Sequence, residues 1–159
     1  MPVELPSDLY TLVGERTLIS LALQAVDAVA ARLPRWEENP ETEASSQMLL
    51  TLLTYCYAAG TYASEDVAWT CRHRENARYI VGNARPDENM IRHFRRANRP
   101  WIEESLAWLL ERVCQQTPLL ASVVGNREML TGDPLESPFL KHARQRVELA
   151  TLMDMALAE

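Results

Sequence analysis

Two prolines, Pro86 and Pro100, bracket a stretch of this chain that has room for one helix. Proline fixes its own φ and lacks an N–H, so it belongs at helix boundaries and first turns. Asp87 follows Pro86 as a side-chain cap, which predicts a helix from Glu88 to about Asn98. Met90, Ile91, Phe94 and Ala97 supply its apolar side. Arg92, Arg95, Arg96 and Arg99 recur at i, i+3, i+4 and i+7, a spacing that gathers them on one face. A helix with a core side and an arginine side looks made to meet an anion.

The rest of the chain reads as helix after helix. Leu18, Leu21, Ala22, Ala25, Val29 and Leu33 recur at helical spacing, so a first helix is expected from Ser7 to Leu33, broken near Gly14 and ended by Pro34. Residues 34–45 read as a glutamate-rich loop. Ser45 or Ser46 is expected to cap a helix over Gln47–Ala59, whose wide apolar stripe of Met48, Leu49, Leu52, Leu53, Cys56 and Tyr57 places it in the core. Gly60 is its natural breaker. Ser64 is expected to cap a short helix over Glu65–Cys71, followed by another over Arg74–Ile80 that ends at Gly82-Asn83. Pro100 opens a helix running to Gln116, Leu119–Leu130 has helical character, and Phe139–Ala158 closes the chain. Five glycines among 159 residues, with no run that reads as a strand, agree with this pattern. The expectation is an all-α, single-domain helical bundle of about seven or eight helices, with a helix-turn-helix-like unit in its middle.

A formal charge of −6 argues at first against a nucleic-acid partner, yet the charges are segregated. Between Arg72 and Arg99 eight arginines face three acids, a local excess of five positive charges that leaves the remainder eleven negative. A concentrated basic segment serves a local contact, while an acidic remainder limits non-specific adhesion. Cys56, Cys71 and Cys114 are odd in number and widely spaced, and His73, His93 and His142 lack metal-ligand spacing. Reduced thiols in a cytoplasmic protein, with no disulfide, metal or cofactor, are expected. The N-terminal residues have neither the basic region nor the apolar core of a signal peptide, and polar residues interrupt the longest apolar stretch, so no membrane span is expected.

The run from Gln47 to Arg99 resembles the N-terminal helical domain of DDE-type insertion-sequence transposases. The matching residues are Leu49, Leu50, Tyr55, Tyr57, Gly60, Ser64, Arg78, Tyr79, Gly82, Pro86, Asp87, Ile91, Phe94, Arg95 and Arg96. With the helix to Gln116, residues 45–116 carry the resemblance, and 1–44 and 117–159 are unassigned flanks. It departs from the family at Glu65, where the family often has arginine, and at Asn98, where a histidine is common. The resemblance implies DNA-end binding. It also implies a following catalytic domain whose carboxylates hold metal ions, and neither Asp133 nor Asp154 has a matching context. No nucleophile motif, Gly-rich phosphate loop or HExxH stands elsewhere, so an enzyme is not expected.

Two functional readings follow. In the first, the chain is a non-catalytic, transposase-derived protein that binds double-stranded DNA through Arg92, Arg95, Arg96 and Arg99, with Arg72, Arg74 and Arg78 extending the patch, as a regulator or accessory factor. In the second, it is a protein–protein module (inhibitor, adaptor or oligomeric subunit, with a protein partner or a second copy as in a homodimer) whose arginines meet an acidic partner. The same arginines also suit internal salt bridges to the chain's glutamates. Ile91, Phe94, Trp69 and Tyr79 read as core rather than base-stacking groups.

Overall fold

The computed structural model describes residues 14–30, 43–82, 86–116 and 138–157, and these form six helices with no strand among them. The helices are α1 (Glu15–Ala30), α2 (Glu43–Ala58), α3 (Ser64–His73), α4 (Glu75–Val81), α5 (Glu88–Gln116) and α6 (Pro138–Leu157). The all-α expectation is met. The helix expected over 119–130 lies outside the described residues, as do the loop at 34–42 and the chain before Gly14.

The helix α2 is the hub, because every residue from Leu49 to Ala58 is buried. A helix covered on all sides must satisfy its polar side chains internally. Thr51 and Thr54 do so by donating to the carbonyls of Gln47 and Leu50, and the Thr54 hydroxyl also lies 2.7 Å from that of Ser105 on α5. The helix starts at Glu43, earlier than the serine caps predicted. Its end follows the glycine reading. Gly60 takes φ +87°, and the Thr61 N–H turns back to the Cys56 carbonyl at 2.8 Å. This is the left-handed glycine termination that an L side chain resists.

The long helix α5 packs against α1, α2, α3 and α6. It unites two helices expected to be separate, and Asn98 at φ −127°, ψ 25° marks the kink between them. Pro100 cannot donate to the Arg96 carbonyl and its ring crowds that turn, which bends the helix without ending it. The Asn98 side chain donates to the Phe94 carbonyl at 3.1 Å inside the bend. At the helix start, Asp87 accepts from the Met90 N–H at 2.8 Å, the side-chain cap read from the sequence.

The buried stripe of α6 is Ala143, Arg146, Val147, Ala150 and Asp154, so two charged residues point into the bundle. Arg146 donates to the Tyr57 carbonyl at 2.8 Å and to the Tyr62 hydroxyl at 3.2 Å. It therefore serves the buried carbonyl end of α2 with a cation, as helix ends favour. Burial holds the Arg146 pKa below its ordinary value, with Tyr62 opposing that shift.

Candidate nucleic-acid interface

The predicted site contains seven arginines, and the fold divides them. Arg92, Arg95 and Arg99 lie along the edge of α5 that faces α6. Arg95 is 3% exposed, and its guanidinium donates to the Asp154 carboxylate and, at 3.3 Å, to the Ser64 hydroxyl. Arg92 lies 3.9 Å from the same carboxylate and 3.7 Å from Glu88. Arg99 donates to Glu103 at 3.0 Å and to Glu148 of α6 at 2.8 Å. These three side chains bind the bundle together, and a buried Arg95 offers nothing to a ligand at the surface.

Asp154 anchors this arrangement. Its carboxylate accepts from the Ser64 N–H at 2.7 Å and the Ser64 hydroxyl at 2.5 Å as well as from Arg95. Burial alone would raise the Asp154 pKa, but the Ser64 hydrogen bonds and Arg95 outweigh it and hold the carboxyl below its ordinary value. Burial would likewise lower the Arg95 pKa, and its bond to Asp154 carries the balance upward. The Tyr57 hydroxyl is buried with no hydrogen-bond partner among the described residues, and burial raises its pKa against the opposing charge of Arg95.

The sequence expectation for Ser64 is corrected here. Ser64 is the first residue of α3 rather than its cap, Ala63 precedes the helix without a side-chain bond, and the Ser64 side chain is committed to Asp154. The residues flanking Asp154 in the sequence give it no role by themselves. A signal was available, because Arg146 and Asp154 fall at the core-facing spacing of α6.

The other four arginines, Arg72, Arg74, Arg78 and Arg96, are exposed and have no acidic partner among the described residues. Arg72 lies in the last turn of α3, Arg74 joins it to α4, and Arg78 lies on α4, from where it donates to the Arg72 carbonyl at 2.8 Å. Arg96 belongs to the solvent face of α5 with Asn89, Met90, His93 and Ala97. Ile91 and Phe94 are buried as expected. Trp69 and Tyr79 are not: they are 52% and 74% exposed, because α3 and α4 bury only narrow stripes. The basic segment thus carries aromatic surface that the periodicity did not reveal.

The three thiols are buried, and burial raises the pKa of each, that of Cys71 to about 11. Among the described residues no three His, Cys, Asp or Glu side chains gather as metal ligands, and no helix is long and apolar enough to cross a membrane. No protein-family model, curated protein or solved structure matches this chain.

Proposed function

We propose that this protein is a non-catalytic, transposase-like DNA-binding module whose contact surface is the exposed set Arg72, Arg74, Arg78 and Arg96. The observation that carries this reading is the division of the arginines. Three are consumed by acids of the bundle, while the four on the surface have no acidic partner among the described residues, Arg78 giving one donor to the Arg72 carbonyl. An arginine without a local carboxylate is the residue type that takes phosphate in bidentate fashion. In this reading α3, α4 and the first half of α5 act as the helix-turn-helix-like unit. The junction of α3 and α4 contacts the backbone, and Asn89, His93 and Arg96 form the outward face of α5.

The test is duplex binding followed by fluorescence anisotropy over a range of salt. The wild type should bind with an affinity that falls as salt rises, the slope approaching −0.9 per phosphate neutralised. Joint replacement of Arg72, Arg74, Arg78 and Arg96 by alanine should remove binding and leave the circular dichroism unchanged. Binding that survives this replacement overturns the reading.

A second reading is favoured by one observation. Leu149, Leu152 and Met155 are all exposed on the outer side of α6. Apolar side chains grouped in this way mark protein contacts. A wild type that binds no duplex at low salt selects this protein–protein reading.

A further inference from the structure

A cavity of about 350 Å³ opens where the end of α2 meets the outer face of α3. That volume lies at the lower end of the range, roughly 300–1,000 Å³, in which small-molecule sites occur. One wall is Tyr55, Cys56, Ala59, Gly60 and Thr61; the other is Asp66, Trp69, Thr70 and Arg74. The glycine termination of α2 gives the first wall small groups at Cys56, Ala59, Gly60 and Thr61 beside the larger Tyr55. Helical spacing brings residues 66, 69 and 70 to one side of α3, and Arg74 completes the wall as the extended residue that follows the helix.

The chemistry of that second wall is selective. Trp69 is half exposed, and His73 packs against it with ring centroids 4.6 Å apart. His73 does not line the cavity, so the indole borders the cavity with a part that His73 leaves open. Along the chain Asp66 precedes Trp69 by one helical turn and Arg74 follows it, just past the end of α3. Both are exposed, and neither has an ion-pair partner among the described residues. The Thr70 hydroxyl is already donated to the Asp66 carbonyl, which leaves the Asp66 carboxylate as the acceptor at that end.

We propose that this cavity is a subsite for an unpaired guanine nucleotide, the base stacked on Trp69, its edge held by Asp66 and its phosphate by Arg74. A carboxylate has only acceptors, so it selects a base edge that presents donors. Guanine offers two adjacent donors on its Watson–Crick edge, from N1 and N2, where adenine and cytosine offer a single amino group. Aromatic stacking with hydrogen bonding on that edge is how proteins read splayed bases. Arg74, on the same wall, supplies the phosphate contact. The proposal rests on the nucleic-acid reading above and refines it: the exposed arginines hold duplex, and the cavity takes a base freed at its end.

Labelled duplexes that are blunt, or that carry one unpaired guanine, adenine, cytosine or thymine, test this by anisotropy. The guanine overhang should bind roughly tenfold tighter than the blunt end, the scale of one base stacked on an aromatic side chain. Trp69→Ala should remove that increment, and Asp66→Asn should remove the preference for guanine, both leaving blunt-duplex affinity and melting temperature unchanged. Guanosine monophosphate that competes with the overhang identifies the base and phosphate as sufficient. Competition by the overhang alone shows that the strand contributes. Equal affinity for blunt and overhanging ends, an equal gain for all four bases, or a gain that survives Trp69→Ala overturns the subsite. If guanosine monophosphate or the overhang binds while blunt duplex does not, the arginine interface fails and the subsite stands.

Discussion

The backbone N–H and the hydroxyl of Ser64 both donate to the carboxylate of Asp154, 90 residues further along the chain. Arg95 donates to that carboxylate from α5, so three helices meet at one buried charge pair. Breaking a buried pair from one side strands the other charge in a low-dielectric setting, at a cost of about 3–5 kcal/mol. Asp154→Ala and Arg95→Ala should each lower stability on that scale in urea unfolding. The double variant should lose much less than the sum of the two.

The same pair gives stability a definite dependence on acid. The folded-state pKa of Asp154 is depressed, so its contribution is complete above the unfolded carboxyl value of about 3.9 and disappears as pH falls through the lower folded value. The stability gap between wild type and Asp154→Asn should therefore be constant near neutral pH and narrow below about pH 4. Urea midpoints for both proteins across this interval check the sign. A gap that widens on acidification contradicts it.

Arg99 offers a contrast on the same edge of α5. Its side chain is 37% exposed and its partner Glu148 lies in solvent, although Glu103 is half-buried, so water screens Arg99 far more than Arg95. Arg99→Ala should cost about 0.2–1 kcal/mol, and added salt should shrink that difference. A loss as large as that of Arg95→Ala would place Arg99 in the core network instead.

These contrasts mark where the sequence was legible. The apolar spacing identified Ile91 and Phe94 as core, Asp87 as a cap and Gly60 as a terminator, because each of those roles is decided within a turn or two of chain. It did not separate Arg95 from Arg96. A stripe at i, i+3, i+4 and i+7 is wide enough for one edge to meet a neighbouring helix while the other stays wet, and the neighbour that decides is α6. Ser64 reads as a cap whenever acids follow it, and only the position of Asp154 gives it another role. Residue type alone points Trp69 and Tyr79 to the core, whereas helices as short as α3 and α4 cannot bury more than one narrow side.

Gly60 holds φ +87°, in a region where a β-carbon costs about 1–2 kcal/mol. Gly60→Ala should lower the melting temperature by a few degrees in this size class. Since Gly60 also lines the cavity beside Trp69, any overhang preference should weaken in that variant. Thermal unfolding and the anisotropy series measure the two effects separately.

The cysteines should be inert in the native protein. All three are buried, and burial disfavours the thiolate that reacts. A chromogenic disulfide reagent near pH 8 should titrate none of them rapidly in buffer and all three in denaturant. Fast reaction of one thiol in buffer would reveal a local opening of its helix.

The helix α6 changes what residues 45–116 mean as a piece of protein. Residues 45–116 contain the buried guanidinium of Arg95 and the carbonyl end of α2, but the carboxylate that neutralises the first and the cation that caps the second are both on α6. A boundary drawn by resemblance thus cuts through an electrostatic unit. Excised alone, that segment would expose an orphan charge at its centre, and the helix after it is a counterion that the chain carries with itself.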